Sequence, residues 1–277
     1  MQEYRILYVH GMGGGSDSRI PSLLNEHLGE YAPGDVKVSV IVRTYPFDPE
    51  TAAELIETWV EEIGPALVIG ESLGALHALR IGGCPHILVS PALNAPLYMG
   101  YLAWLALVPG VTAWLDRHFR PREGDRQSLH FTFRTLRKYR HHRREALSCA
   151  VGQDGSARAA DCSFFAFFGE YDHYRKSGIV SVRTWKRYFG NNMAIYPGTH
   201  FMEEEFIISM LIPKILSTLD LPCMPRRHFS SASAAAVKRF HGFCNHERAS
   251  AYVNHRLFSV CAQSVGEFQC AADGFGH

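Results

Sequence analysis

Three residue types, far apart in the chain, have the chemistry and placement for acyl transfer. Ser72 lies in Gly70-Glu71-Ser72-Leu73-Gly74, a G-x-S-x-G pattern between the apolar run LVIG and the helical-looking ALHAL. A serine hydroxyl is a weak nucleophile, so it needs a base in hydrogen-bond reach, and that base needs an orienting acid. The stretch FFGEYDHY offers Asp172 and the stretch YPGTHFM offers His200, each directly after a strand-like apolar run. The order serine, acid, histidine is the one in which strand–turn–helix nucleophiles find their partners. His10, His77 and His173 compete as bases, but His77 falls on the helix after the serine and His173 adjoins the acid. Asp161 competes as the acid, yet it precedes its strand and belongs at the opposite end of a sheet.

The segment HGMGGG, residues 10–15, follows the first apolar run. Its glycines let backbone amides turn toward a developing oxyanion, and the expected donors are the N–H groups of Met12 and of Leu73. The segment lacks the G-K-[ST] ending of a phosphate-binding loop and the G-x-G-x-x-G spacing of a dinucleotide site.

These residues need a scaffold that places several loops at one edge. Strands are expected over Arg5 to Val9, Val36 to Val42, Ala66 to Gly70, His86 to Ser90, Ser163 to Gly169 and Asn192 to Tyr196. Helices are expected from Arg19, with Ser18 as N-cap, and from Pro49, with Asp48 as cap and Leu55, Trp59 and Ile63 at helical spacing. Further helices are read over Ala75 to Ile81, Val180 to Phe189 and Phe206 to Leu219, the last bent at Pro213. Regular alternation of buried strands and helices implies an α/β fold with a mostly parallel sheet and helices on both faces. In such sheets ligands bind outside the carboxyl ends of the strands, where all three candidate residues fall.

The chain has 277 residues, 47% of them hydrophobic, and a formal net charge of +1, which gives no global reason to expect nucleic-acid binding. The start of the chain shows no secretory pattern, and cysteines are sparse before residue 220, so a reduced, cytoplasmic setting is expected.

The stretches LYVHGMGGGSDS, GESLGALHAL, ILVSPALNAP, FGEYDHY and GTHFMEEEF together resemble the α/β-hydrolase superfamily, and within it the small YqiA-like serine esterases. The resemblance covers about residues 4 to 219 apart from an insertion. It implies an α/β-hydrolase fold with Ser72 as nucleophile, His200 as general base and Asp172 as its orienter.

Residues 94–162 interrupt the alternation where such proteins carry a helical cap. No charged residue occurs from Ala95 to Leu115, but Pro109-Gly110 splits the run. A span there would also put Ser72 and its partners on opposite sides of a bilayer. Tyr98, Tyr101, Trp104 and Trp114 suit an acyl or aromatic pocket, with the first three expected to bind substrate. The second half is basic, with Arg134, Arg137, Lys138, Arg140, Arg143 and Arg144 on one expected helix. That composition suits a solvated face, or attraction to an anionic substrate or lipid headgroup.

From Leu221 the pattern changes, and a poorly ordered extension over 221–277 is expected. Cys244, His246, His255 and Cys261 match no standard zinc spacing. The expected domain is therefore 1–220, with the insertion inside it. The expected activity is hydrolysis of a small carboxylic ester or thioester through an acyl-enzyme, without metal or organic cofactor. Peripheral membrane contact through the cap is the one macromolecular interaction expected. The competing reading is a non-catalytic scaffold that binds a ligand or an acidic membrane surface.

Overall fold

The computed structural model describes residues 2–119, 123–151 and 163–224. Asp161, the tail from 225 and its four metal-ligand candidates lie outside the described residues.

Chain order is β1 (Gln2–Val9), α1 (Arg19–Tyr31), β2 (Val36–Val42), α2 (Pro49–Ile63), β3 (Leu67–Glu71), α3 (Gly74–Ala78) and β4 (His86–Val89). Three helices follow: α4 (Ala95–Leu105), α5 (Val111–His118) and α6 (Phe133–Ala150). Then come β5 (Phe164–Gly169), α7 (His173–Ser177), α8 (Val182–Phe189), β6 (Met193–Tyr196) and α9 (Glu204–Phe206). A π-helical turn over Ile207–Leu211 leads into α10 (Ile212–Thr218).

The six strands form one sheet in the order β2-β1-β3-β4-β5-β6, every neighbouring pair parallel. Parallel neighbours need crossover connections, and helices supply them on both faces. Along β1 the side chains alternate: Leu7 and Val9 join a core with Trp59, Leu76, Leu136 and Trp185. Ile6 and Tyr8 join the opposite core with Leu24, Leu28, Ile212, Ile215 and Leu216. Thus α1 and α10 cover one face, while α2, α3, α6 and α8 cover the other.

The local signals explain the element ends. Asp48 caps α2 by accepting from the Glu50 and Thr51 amides, and Gly64 ends it in the left-handed region. The buried stripe of α2 is Ala52, Ile56, Trp59 and Ile63, with Leu55 only at its edge. Ser18 occupies the N-cap position of α1, but its hydroxyl accepts from the Gly15 amide at 3.1 Å rather than capping the first turn.

Three expected helices differ in detail. The one after Ser72 is shorter, because past Ala78 the Arg80 and Ile81 amides switch to i→i−3 bonds. The helix expected from Val180 starts at Val182, with Ser181 accepting from the Thr184 amide, and a separate α7 precedes it. The bend expected at Pro213 takes the form of a π turn, in which the Ile212 amide reaches the Ile207 carbonyl. Pro213 has no N–H for the normal ladder, and a widened turn before it accommodates that loss.

The insertion begins as two short helices separated at Pro109-Gly110, and among the described residues no helix is long and apolar enough to cross a membrane. Helix α6 turns Leu136, Tyr139, His142, Ala146 and Leu147 inward, and it packs against α2, α3 and α4.

Candidate active site

The strand β3 ends at Glu71, and the chain must reverse at once into α3. Ser72 makes that turn with φ +50°, a left-handed conformation that costs a residue with a side chain about 1 kcal/mol. Its amide is held by the Val89 carbonyl at 2.9 Å, and its carbonyl accepts from Ala92 at 3.0 Å. The strain is therefore fixed by β4 and the loop that follows. A Cβ at Gly74 would overlap the Val9 and His10 carbonyls of the neighbouring strand end. A Cβ at Gly11 would sit 3.0 Å from the Ser72 Cβ, so the loop after β1 passes directly over the serine.

His200 brings Nε2 to 2.9 Å from Ser72 Oγ, and its Nδ1 lies 2.8 Å from Asp172 Oδ2. The carboxylate can only accept, so Nδ1 carries the proton and Nε2 is left to accept from the serine hydroxyl. His200 and Asp172 are both buried. Asp172 has a second duty as the N-cap of α7, its Oδ1 accepting from the Tyr174 amide at 2.8 Å. The sequence-predicted serine, histidine and aspartate are thus brought together at the carboxyl ends of β3, β5 and β6.

Hydrogen bonds fasten the loop carrying His200 on both sides. Glu203 accepts from the Thr199 amide and hydroxyl at 3.0 and 2.7 Å, and the Tyr196 hydroxyl donates to the Thr199 carbonyl at 3.0 Å. Arg19 donates to the Phe201 and Met202 carbonyls.

The glycine loop is held from an unexpected direction. Gln127, buried in the insertion, accepts at Oε1 from the Gly13 amide at 3.1 Å, and its backbone N–H donates to the Gly14 carbonyl at 2.7 Å. Gly15 pairs with Arg126 in an antiparallel bridge, and the Thr44 hydroxyl donates to the Asp125 carbonyl at 3.0 Å. The Met12 and Leu73 amides make no backbone or side-chain hydrogen bond among the described residues.

Beneath that loop His10 donates from Nδ1 to the Gly11 carbonyl at 2.8 Å, while the Tyr45 hydroxyl donates to the His10 carbonyl. The His10 ring stacks on Tyr45 at 4.1 Å between centroids, and Tyr45 then meets His77, which meets His142 on α6. Burial holds His10 and His142 down to about 4 and His77 well below the ordinary histidine value, so these rings are neutral at pH 7.

Glu71, the variable residue of the serine motif, accepts from the Tyr8 hydroxyl at 2.7 Å. Burial raises its carboxyl, while the Tyr8 bond, the nearby His200 and Arg19 and the Gly11 amide pull the other way.

Of the three aromatic side chains expected to bind substrate, two have partners of their own. Tyr98 donates to the Ser177 carbonyl, and Trp104 meets Phe133 edge-on with Arg137 over its face. Tyr101 is open to solvent. The rings that touch His200 are Tyr174, Phe201 and His173, at 4.7, 5.2 and 6.1 Å between centroids. Each sits next to a residue already picked out, and that adjacency was the available signal. Gln127 and Glu71 gave none beyond their positions. Among the described residues no group of three or more His, Cys, Asp or Glu is arranged to hold a metal ion.

Residues 5–102 match the model of the Uncharacterised protein family UPF0227, in agreement with the YqiA-like resemblance of the motifs. Est1E from Butyrivibrio proteoclasticus, solved with ferulic acid bound, superposes with a TM-score of 0.51 at 16% identity, covering 79% of this chain and 90% of that one. This chain has the α/β-hydrolase fold. A carboxylesterase structure from the thaumarchaeon Nitrososphaera gargenis aligns with a TM-score of 0.47 at 13% identity, over 78% of this chain and 91% of that one. NosK from Streptomyces actuosus aligns with a TM-score of 0.48 at 14% identity, over 78% and 99%. No curated protein sequence matches the chain. Within the α/β-hydrolase fold, Ser72 holds the strand–helix turn, and Asp172 and His200 follow the last two strands.

Proposed function

We propose that the protein is a serine hydrolase that cleaves carboxylic esters or thioesters through an acyl-enzyme. The observation that carries this reading is the hydrogen-bonded series Ser72 Oγ, His200 Nε2, His200 Nδ1, Asp172 Oδ2, with steps of 2.9 and 2.8 Å. In this reading His200 takes the serine proton as Oγ attacks the carbonyl carbon. The Met12 and Leu73 amides bind the oxyanion, a contribution of about 3 kcal/mol per donor to the transition state. His200 then returns the proton to the leaving oxygen or sulfur, and the acyl group stays on Ser72. A water deprotonated by His200 attacks next and releases the acid, with Asp172 ionised throughout.

Met12, Tyr174 and Phe201 form the apolar rim of the acyl site in this proposal, in place of Tyr98, Tyr101 and Trp104. Residues 94–162 act as a cap in a 1–220 catalytic domain, with Gln127 fixing the glycine loop.

The deciding experiment is labelling by a fluorophosphonate, compared across wild type, Ser72→Ala and His200→Ala. Labelling of wild type that disappears in both variants is expected. Absence of labelling in a folded wild type would turn the reading to a non-catalytic binding scaffold.

A further inference from the structure

We infer that the turn between α4 and α5 is a docking element for an anionic membrane surface, with the outer face of α6 as its electrostatic partner. The end of α4 and the turn after it expose apolar side chains: Trp104 at 59%, Leu105 at 53%, Leu107 at 56% and Val108 at 53%, with Tyr101 at 76% one helical turn earlier. A soluble surface rarely carries apolar residues in succession, because each exposed one forgoes the gain of removing its surface from water. Only Pro96, Met99 and Ala103 of α4 are buried, and no charged residue lies between Ala95 and Leu115.

The charge needed for an anionic surface lies directly alongside. Arg134, Arg137, His141 and Arg144 are exposed at i, i+3, i+7 and i+10 on α6, with Arg140 beside them. The Arg137 guanidinium lies 5.8 Å from the Trp104 ring centroid, joining the basic stripe to the apolar turn. The inward cations of the same helix are consumed: Lys138 pairs with Asp48 and Glu50, and Arg143 donates to Leu93 and Asn94. Arg134, Arg137, Arg140 and Arg144 form no ion pair among the described residues. Glu145, the sole acid on α6, is taken by Arg80 and His141.

Charge favours a bilayer over a second copy of the chain. The exposed apolar residues run from Leu97 and Tyr98 through Tyr101, Trp104 and Leu105 of α4 to Leu107 and Val108, a face that suits lying among headgroups. Two-fold self-docking centred on α6 would set the arginine stripe against its own symmetry mate. Tryptophan and tyrosine at the rim, with arginine above, match the composition of membrane–water interfaces.

Two of the four tryptophans, Trp104 at the end of α4 and Trp114 on α5, are exposed and flank the turn, whereas Trp59 and Trp185 are buried, so a shift of emission on binding reports this region. The full chain is mixed with vesicles of phosphatidylcholine, with and without phosphatidylglycerol. Co-sedimentation and a blue shift of emission are expected only with phosphatidylglycerol, both reversed by salt. The combined variant Leu105→Ser, Leu107→Ser, Val108→Ser should lose the blue shift. The combined variant Arg134→Gln, Arg137→Gln, Arg144→Gln should bind at least about tenfold more weakly. Both should keep wild-type circular dichroism and wild-type fluorophosphonate labelling, which separates this inference from the proposed catalysis. A folded wild type that ignores the anionic vesicles would overturn the inference. So would equal binding by both variants, or a lipid-free dimer that the serine variant dissolves without any vesicle binding by wild type.

Discussion

Replacing Asp172 by asparagine tests the candidate site most sharply, because the two oxygens of this carboxylate have different partners. Oδ1 accepts from the Tyr174 amide at the start of α7, and Oδ2 accepts from His200 Nδ1, each at 2.8 Å. In Asp172→Asn the amide oxygen must face the Tyr174 N–H, so the NH2 group is turned toward Nδ1. The ring can then avoid a donor–donor contact only by moving its proton to Nε2, which faces Ser72 Oγ at 2.9 Å. That nitrogen can no longer accept the serine proton. The analogous tautomer error lowers kcat by about 10⁴, close to 5.5 kcal/mol of barrier.

Asparagine remains a good helix cap, so stability should change little. Asp172→Ala should lose comparable activity and also the cap, at a cost of about 1 kcal/mol, or about 2–4 °C in Tm for a chain of this size. The assay is steady-state hydrolysis of a p-nitrophenyl ester beside thermal unfolding for wild type and both variants. Asp172→Asn within tenfold of wild-type kcat, with an unchanged Tm, would refute the assignment of Asp172 as the orienter.

Ser72→Gly and Ser72→Ala should both be inactive. The glycine variant should be the more stable by about 1 kcal/mol in urea unfolding, because only alanine retains the left-handed strain at φ +50°. Gln127→Ala should lower kcat more than it raises KM, since it removes the acceptor of the Gly13 amide; an unchanged kcat would dismiss its role in holding the glycine loop. Glu71→Leu should cost about 1–3 kcal/mol by stranding the Tyr8 hydroxyl, whereas Glu71→Gln should cost much less in the same unfolding assay. Burial holds His10, His86 and His142 at about 4 in the folded protein. The unfolded chain therefore binds more protons between about pH 6.5 and pH 4, and stability is full above that window and falls as pH drops through it. Each histidine contributes up to about 3 kcal/mol, and His142→Phe should reduce the slope by about 1.4 kcal/mol per pH unit; a slope equal to that of wild type would discount His142.

What the sequence determined by itself is local. Strand–glycine–serine–glycine–helix is a contiguous signal, because the backbone reversal at Ser72 and the packing at Gly74 are requirements of neighbouring residues. The alternation of apolar runs with amphipathic ones carried the parallel sheet, and the order Ser72, Asp172, His200 placed each group after its strand. The cap at Asp48 and the stop at Gly64 obey the same short-range rules. Only the tertiary structure decided the rest. Gln127 meets Gly13 across 114 positions of sequence, and no periodicity in either segment announces the contact. The rings of His10, Tyr45, His77 and His142 come together from four separate elements, and their neutrality follows from burial that composition does not reveal. Tyr101 and Trp104 had the right chemistry for an acyl pocket, yet packing set one in solvent and the other against Phe133 and Arg137. A side chain's type limits what it can touch, but the direction of its helix face against the rest of the fold determines what it does touch.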